Sequence, residues 1–360
     1  MIKRKKIGLM SMWGFGRGHC YLAKMHVDMM IPDYKVFILQ QGAADKRDEE
    51  FYNYDKKDVE IKINPTFDVS ESEFTNWVSK NKLDAVIFNE YDQWTNNSCD
   101  LPTLAKEMGL KTFGILVLER FKSEQSERYD RVFASSQTFC RHMRAHKVRN
   151  FTFVPYSLNL KEFPKYEKDN NRPFTFFHPG GFGGFHKRKN TQTVVTSFLA
   201  LGDENAKLII TSQVPLNVDN LPTNIEVIDK DLTRKELLDI YKRVDVTVLP
   251  SKWETIGIPI LESLAFGVPV ITSDIPPMNE FVRTGLNGYL NKIMVNEYDG
   301  VFMKVAETDY HELKKNMETS ANRTMLEILS RNSRKVIEDI YDIEKNRHYL
   351  IDFLKGELNG

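Results

Sequence analysis

Short apolar runs alternate with helix-like segments along this chain, and that alternation limits its fold more than any other feature. Lys6–Met12 and Lys35–Gln41 are strand-like, Glu71–Lys80 is helix-like, and in the second half the helix-like Arg234–Arg243 precedes the strand-like Val246–Leu249. Such alternation predicts parallel sheets covered by helices on both faces. Ligands of parallel sheets bind beyond the carboxyl ends of the strands. The sequence therefore predicts an α/β fold with its functional residues in the loops that follow the strands.

The length of 360 residues is enough for two domains of ordinary size. Phe151–Tyr156 has the composition of a last strand for the first sheet, and a new strand-like run begins at Phe174. Residues 164–173 between them are polar and show no periodicity, as linkers do. The expected domains are residues 1–165 and residues 166–339.

Charge and cysteine content exclude several classes of protein. The 50 basic residues are balanced by 50 acidic ones, so nothing indicates a nucleic-acid partner. Cys20, Cys99 and Cys140 form no paired spacing, which is typical of a reducing compartment. No apolar run approaches the ~18 residues of a membrane span, and residues 1–6 lack the apolar core of a signal peptide. We therefore expect a soluble, cytoplasmic protein, and the sequence does not indicate its oligomeric state.

The segment 251–274, SKWETIGIPILESLAFGVPVITSD, carries two carboxylates at a spacing that suits a ligand with several hydroxyl groups. Glu254 lies in the loop after the predicted strand, and Glu262 lies eight positions later, within a predicted helix. A carboxylate accepts from two donors at once, so Glu262 suits the paired hydroxyls of a ribose and Glu254 those of a transferred sugar. A solvated loop charge and a helix-surface charge explain the two residues equally well.

The residues between the two glutamates predict a helix N-terminus that faces a phosphate. Thr255 is suited to cap the helix, and Pro259 in the first turn costs no hydrogen bond. Gly257 lets the backbone approach a ligand closely. The amides of Thr255, Ile256 and Gly257, together with the helix dipole, can receive a diphosphate.

Residues 254–274 resemble the Glu-x7-Glu segment of the GT4-type retaining glycosyltransferases, which have the GT-B fold. The resemblance continues through Glu280–Leu290 and covers about 120 residues of the second half. It implies two Rossmann-like parallel-sheet domains facing a central cleft, with the acceptor side on the first domain and the nucleotide-sugar donor side on the second. It also implies that a C-terminal helix at about 340–360 packs back on the first domain. The implied reaction is the retaining transfer of a hexosyl group from a donor such as a UDP- or GDP-sugar.

A glycine-rich loop with three consecutive cations precedes the helix predicted from Thr191 onward. Flexible amides, fixed positive charge and a helix N-terminus together indicate anion binding. The resemblance implies that an arginine and a lysine here contact the donor diphosphate. Lys189 matches the lysine, whereas Gly184 occupies the place of the arginine, so that Arg188 or Lys187 must substitute. Gly183 and Gly184 would approach the donor, and a mobile surface loop is the alternative.

The first strand runs into residues 13–19, WGFGRGH, in which Gly14 and Gly16 precede a predicted helix. Glycines at this place suit a close approach to phosphate or sugar, and the resemblance implies a loop near the donor or the acceptor. A plain structural turn explains the same residues.

Polar residues follow two further strands of the first half, and we interpret them as a site for a glycan, lipid-linked or protein-linked acceptor. They are Glu90, Tyr91, Trp94 and Glu119. Many members of the resembled family have a histidine near these positions, and this sequence has none there. Ordinary polar loops are the alternative.

Asp229-Lys-Asp231 is a D-x-D candidate for a metal-dependent glycosyltransferase. It lies just before Thr233 and a predicted helix, where aspartate and threonine serve as caps and turn residues. Because the cations at 187–189 would neutralise a diphosphate without a metal, the sequence predicts no essential metal and no other cofactor.

Residues 141–149, RHMRAHKVR, form a basic segment. It is compatible with peripheral association with an anionic membrane or with a phosphorylated acceptor, and a solvated helix surface is the alternative.

Two other classes of function fit the same motifs. The chain could be a catalytically silent, glycosyltransferase-like subunit that binds and stabilises a partner, or a GT-B nucleotide-sugar epimerase or phosphorylase. Fold does not decide between such activities.

Overall fold

The computed structural model describes residues 4–16, 18–43, 49–91, 93, 97–166, 168–169, 171–183, 185, 187–218, 220–296 and 304–359. The chain divides into two compact units, of which the first comprises Met1–Ser157 with Ile343–Gly360 and the second Leu158–Asp342. The sequence predicts a division after residue 165, in the polar stretch that follows Phe163. The structure divides the chain eight residues earlier, after Ser157, at the end of the strand-like run Phe151–Tyr156.

The first unit is an alternating α/β fold. Its elements are β1 (Lys6–Ser11), α1 (Gly18–Met30), β2 (Lys35–Gln41), β3 (Val59–Asn64), α2 (Glu71–Asn81), β4 (Ala85–Asn89), α3 (Leu101–Glu107), β5 (Lys111–Ile115), α4 (Ser123–Ser126), β6 (Arg131–Ala134), α5 (Gln137–Ala145) and β7 (Phe151–Phe153). The described strands form one parallel sheet in the order β3-β2-β1-β4-β5-β6-β7. β1 and β4 lie at its centre, and their near-continuous apolar sequences are those of strands buried on both faces.

The second unit repeats the pattern. Its elements are β8 (Thr175–Gly181), α6 (Thr191–Leu199), β9 (Lys207–Ser212), β10 (Ile225–Asp229), α7 (Arg234–Tyr241), β11 (Val246–Leu249), α8 (Ile258–Ala265), β12 (Val270–Ser273), α9 (Met278–Phe281), β13 (Gly288–Asn291), β14 (Ile293–Asn296), β15 (Val305–Thr308), α10 (Tyr310–Ser320) and α11 (Arg323–Ile340). A parallel sheet has the order β10-β9-β8-β11-β12-β13, and β14 and β15 pair as a separate antiparallel hairpin. The predicted α/β fold with two Rossmann-like parallel sheets is confirmed.

The last helix, α12 (Ile343–Asn359), belongs to the first unit. It packs along α1, where Arg347 donates to the carbonyl of Met29 at 3.3 Å and to Asp33 at 2.5 Å. Asn346 on the same helix donates to the hydroxyl of Ser157, the last residue of the first stretch of this unit. These polar contacts fix the register of α12 against its own unit.

Local sequence explains where the helices of the second unit begin. Thr233 caps α7, because its side chain accepts a hydrogen bond from the amide of Glu236. The Glu236 carboxylate in turn accepts from the amide of Thr233, which completes a capping box. The prediction that Thr233 has a capping role is therefore confirmed. Asp309 accepts from the amide of His311 and so begins α10.

One local prediction for the second unit was wrong, and one of its elements was not predicted. Thr255 does not cap α8, because the cap position is occupied by Gly257 at φ 85°, a left-handed conformation that threonine rarely adopts. The hairpin of β14 and β15 was not predicted, since its strands are only four residues long and carry little alternation.

Candidate active site

A cluster of charges surrounds the buried Glu254, which lies in the loop between β11 and α8. Lys189 Nζ donates to Glu254 Oε1 at 2.6 Å, and Arg188 Nη1 donates to Glu254 Oε2 at 2.7 Å. The hydroxyl of Ser251 also donates to Glu254 Oε1, at 2.7 Å. Glu254 and Lys189 are each only 5% exposed. The loop after β8 and the loop after β11 therefore meet at this carboxylate.

The two cations keep Glu254 ionised. Burial alone would raise the pKa of the Glu254 carboxyl, but the charges of Arg188 and Lys189 and the hydrogen bonds from Lys189 and Ser251 outweigh it and lower the pKa to about 2. Two cations and one carboxylate leave this cluster with one net positive charge. Such a cluster can receive an anion with little further desolvation of its own charges.

The loop after β8 is shaped by close packing against Lys189. A Cβ atom on Gly183 would lie 2.3 Å from Lys189 Cγ and 2.9 Å from the carbonyl oxygen of Gly180, so only glycine fits there. Asn190, at φ 59°, then turns the chain into α6. Gly184 lies outside the described residues. Lys187 is exposed, so of the three consecutive cations it is Arg188 and Lys189 that contact Glu254.

The start of α8 lies directly after Glu254. The turn through Thr255 and Ile256 ends at Gly257, whose positive φ lets the chain enter the helix, and Pro259 follows within the first turn. A Cβ atom on Gly257 would be 3.8 Å from Glu254 Cγ. The helix N-terminus, with its partial positive charge, is thus within contact distance of the charged cluster.

Glu262 lies inside α8 and is 2% exposed. One of its oxygens accepts a hydrogen bond from Arg234 Nη1, and the other accepts from the Tyr241 hydroxyl at 3.4 Å. Arg234 is 8% exposed, and its guanidinium lies 5.7 Å from the ring centre of Phe163. The second glutamate is therefore part of a buried ion pair and is not a helix-surface charge.

Sequence reasoning missed Arg234 and Tyr241. The capping box at Thr233 and Glu236 predicts that a helix begins at Arg234, but it does not predict that this arginine meets a glutamate on another helix. Ser251 was also missed, although its place three residues before Glu254 is a signal for a local side-chain contact.

The glycines of the first loop form a tight structural turn. Gly14 and Gly16 adopt φ values of 81° and 63°. A Cβ atom on Gly14 would lie 2.3 Å from the hydroxyl oxygen of Tyr52, which donates to Gln40 Oε1 at 2.8 Å. Packing against Tyr52 therefore explains Gly14 without a ligand.

The residues predicted for an acceptor site differ in exposure. Glu90 is 2% exposed and has a φ of 53°. Tyr91 is 1% exposed, and its hydroxyl donates to the carbonyl of Cys99 at 2.7 Å, which indicates a packing role. Glu119 is half-buried in the 3₁₀ turn Leu118–Arg120. Trp94 lies outside the described residues.

The D-x-D segment is exposed at the end of β10. Gln213 donates to Asp231 Oδ1 at 3.1 Å. Within the part of the chain that the structure describes, no three His, Cys, Asp or Glu side chains are grouped so that they could hold a metal ion.

The basic segment covers α5 and the residues after it. The helix buries Phe139, Cys140 and Met143, and Arg141 and Arg144 are exposed. Over the described ranges, no helix is both long and apolar enough to cross a membrane.

The part of the chain that carries this cluster is similar to a known protein family. Residues 161–323 match the family model of the glycosyl transferases group 1. The second unit is therefore similar to the group 1 glycosyl transferases over most of its length, and we call it the group 1 domain after this match. Arg188, Lys189, Glu254 and Glu262 all lie within the matched range, whereas the first-unit candidates lie outside it.

Two curated relatives each match part of this chain. An uncharacterised glycosyltransferase of Sulfolobus islandicus rod-shaped virus 1 is 29% identical over 157 residues, which are 41% of this chain and 47% of the relative. N-acetyl-alpha-D-glucosaminyl L-malate synthase of Bacillus anthracis is 27% identical over 183 residues, 49% of this chain and 45% of the relative. The chain thus matches less than half the length of each of these relatives.

Solved structures extend the likeness of fold beyond the group 1 domain. Sucrose-phosphate synthase from Thermosynechococcus elongatus superposes with a TM-score of 0.76 at 14% identity, covering 99% of this chain and 100% of that one. Anabaena HepE, in a complex with UDP-glucose, gives a TM-score of 0.69 at 13% identity, covering 98% and 99%. The chain has the GT-B fold.

Acid pH is expected to destabilise the group 1 domain through His178, at the end of β8. His178 is fully buried; its Nδ1–H donates to the carbonyl of Val248 at 2.7 Å, and its Nε2 accepts from the Thr191 hydroxyl at 2.9 Å. Burial, with a smaller contribution from the charge of Lys189, lowers the pKa of His178 from 6.5 to about 4. Below pH 6.5 the unfolded chain binds a proton that the folded chain does not, so stability falls as the pH falls toward 4.

The expected loss from His178 between pH 7 and pH 4.5 is about 2–3 kcal/mol. Urea unfolding of the wild type and of His178→Gln at both pH values measures it, with the exposed His348→Gln as the control. The difference in the free energy of unfolding between the two pH values should shrink in His178→Gln and not in His348→Gln. An unchanged difference would show that His178 is protonated in the folded protein.

Proposed function

We propose that this protein is a retaining glycosyltransferase of the GT4 type that transfers a hexosyl group from a nucleoside diphosphate sugar, such as a UDP- or GDP-sugar. One observation carries the proposal: the buried carboxylate of Glu254 binds both Arg188 and Lys189 beside the start of α8. That cluster lies in a domain of a glycosyl transferase family. The complex of Anabaena HepE with UDP-glucose supports a UDP-sugar as a first donor to test.

In this proposal the two cations act on the leaving group. As the bond from the sugar to the diphosphate breaks, negative charge grows on the phosphate oxygens. The buried Lys189 and the partly exposed Arg188 are both held by Glu254, so they stabilise that charge without having to reorganise. The amides of Thr255, Ile256 and Gly257 at the start of α8 supply further donors, and Gly183 lets the loop after β8 approach the donor.

The two glutamates orient the donor. Glu254 remains ionised, and because Lys189 and Ser251 both donate to Oε1, one acceptor position is left on Oε2, beside the bond from Arg188, for a sugar hydroxyl. Glu262 accepts the paired hydroxyls of the ribose, with Arg234 and Tyr241 fixing the carboxylate in place. This division of roles needs no metal, because Lys189 and Arg188 supply the positive charge that a metal gives to other transferases.

The acceptor is assigned to the first unit. Glu119 is the most accessible of the acceptor candidates that the structure describes, with Glu90 and Tyr91 around the same sheet edge, and the loop of Gly14 and Gly16 is proposed to approach the donor. The acceptor class is a glycan, a glycolipid or a protein-linked sugar. The three free cysteines support a cytoplasmic location, and the balanced charge gives no support for a nucleic-acid partner. The exposed cations of α5 support, at most, a peripheral contact with an anionic membrane.

Incubation of the purified chain with UDP- and GDP-sugars in EDTA tests this function. We expect a donor-dependent thermal shift, release of the nucleoside diphosphate, and an acceptor-linked product whose anomeric configuration, read by NMR, is that of the donor. Donor binding without turnover would identify a silent binding subunit. An epimerised nucleotide sugar, or dependence on free phosphate, would identify the epimerase or the phosphorylase. Loss of activity in EDTA that Mg²⁺ or Mn²⁺ restores would contradict metal independence.

A further inference from the structure

The hairpin of β14 and β15 contacts the loop that carries Glu254. The amide of Ala306 on β15 donates to the carbonyl of Lys252 at 2.7 Å. The amide of Lys252 in turn donates to the carbonyl of Arg188 at 2.8 Å. Two consecutive backbone bonds therefore run from the hairpin, through Lys252, to one of the two cations that bind Glu254.

Side chains strengthen the same connection. Lys252 Nζ lies 2.7 Å from Glu307 Oε1 on β15, and both side chains are partly buried. The buried hydroxyl of Ser273 donates to the carbonyl of Ser251 at 2.9 Å and accepts from the Thr308 hydroxyl at 3.3 Å. The segment from Ser251 to Glu254 is thus held by contacts with β15, with β12 and with the loop of Arg188.

We propose that the hairpin is a positioning element for the donor site, with Lys252 and Glu307 as its positioning residues. Neither side chain contacts Glu254. Their ion pair aligns the Lys252 backbone between β15 and Arg188, which sets how far apart the Glu254 loop and the cation loop lie. This inference rests on the proposed function for its catalytic consequence, but the alignment itself is a property of the ligand-free protein.

A positioning element is useful here because a charge that stabilises a transition state must be held accurately in place. Arg188 lies on a loop without regular structure, and a long side chain on such a loop loses much conformational freedom when it is ordered. A displacement of about 1 Å of a charge that stabilises a transition state is enough to lower a rate substantially. The backbone bond from Lys252 to Arg188 reduces that freedom before the donor binds.

Glu307→Gln removes the ion pair and keeps the shape of the side chain. The matched control is Glu226→Gln, since Glu226 lies on β10 in a partly exposed pair with Arg243 at 3.4 Å. Hydrogen–deuterium exchange of the ligand-free proteins gives the first readout. We expect faster exchange in peptides spanning 186–190 and 250–256 in Glu307→Gln alone. Unchanged exchange in these peptides would overturn the proposal, whether or not the protein transfers sugar.

Kinetics give the second readout. We expect Glu307→Gln to lower kcat/KM for the donor about fivefold, the effect of losing one partly exposed ion pair, with most of the change in kcat because a misplaced Arg188 acts in the transition state. The exchanged pair Lys252→Glu with Glu307→Lys should recover kcat/KM to within about twofold of the wild type. Faster exchange in these peptides together with an unchanged kcat/KM would contradict a positioning role. So would an exchanged pair whose kcat/KM stays as low as that of Glu307→Gln. A wild type that transfers no sugar would refute the proposed function and leave the exchange result to decide the positioning.

Discussion

Replacement of Lys189 by methionine is expected to lower kcat/KM for sugar transfer by about 100- to 1,000-fold, the usual loss when one fixed donor to a transition-state charge is removed. Methionine keeps the length of the aliphatic chain and removes the charge at the position that lies 2.6 Å from Glu254 Oε1. The loss should appear mainly in kcat, because the charge on the leaving diphosphate is largest in the transition state. Steady-state kinetics at several donor concentrations measure it.

The control for this variant is Lys335→Met, which removes an exposed cation on α11 that pairs with Asp339. Its kcat/KM should equal that of the wild type. The Tm of both variants shows whether they are folded. A folded Lys189→Met variant with an unchanged kcat would mean that Lys189 only compensates the buried charge of Glu254.

Glu262→Met is expected to lower the free energy of unfolding by about 3–5 kcal/mol, the cost of removing one partner of a buried ion pair. The reason is Arg234, which is 8% exposed and would keep its charge without the carboxylate that now accepts its hydrogen bond. Urea unfolding monitored by circular dichroism measures the change.

The double variant Arg234→Met with Glu262→Met separates this effect from lost packing. Removing both charges avoids the uncompensated arginine, so the double variant should be more stable than Glu262→Met alone. Glu226→Gln, in a partly exposed pair, should change stability by less than about 1 kcal/mol. A Glu262→Met variant as stable as the wild type would show that solvent or Glu162, which lies 3.9 Å from Arg234, compensates the arginine.

The sequence predicts the sheets well because their strands carry their own signal. Val246–Leu249 is a short run of three apolar residues and one β-branched threonine, and the structure has β11 at the same residues, fully buried. The alternation with helices then determines that the sheets are parallel, whatever the details of the loops. The segment with Glu254 and Glu262 could be recognised for the same reason, since strand, loop and helix follow one another in the chain.

Partners that are distant in sequence could not be predicted from one chain. Glu254 is separated by 65 residues from Lys189, and Glu262 by 28 from Arg234. A single sequence shows the charge of each residue but not which opposite charge it meets. The hairpin contact between Ala306 and Lys252 is of the same kind, because one backbone amide carries no sequence signature. The cap of α8 was predicted wrongly for a more local reason. Threonine is a preferred N-cap residue, so Thr255 fitted the sequence pattern, whereas the turn around Glu254 decides the positive φ at Gly257.

A crystal structure of this protein with a bound nucleotide sugar tests the central claim most directly. The account predicts that oxygens of the diphosphate lie about 3 Å from Lys189 Nζ and from the amides at the start of α8, with a sugar hydroxyl on Glu254 and the ribose hydroxyls on Glu262. A diphosphate bound elsewhere, with Arg188 and Lys189 still hydrogen-bonded to Glu254 and no phosphate beside them, would contradict the account.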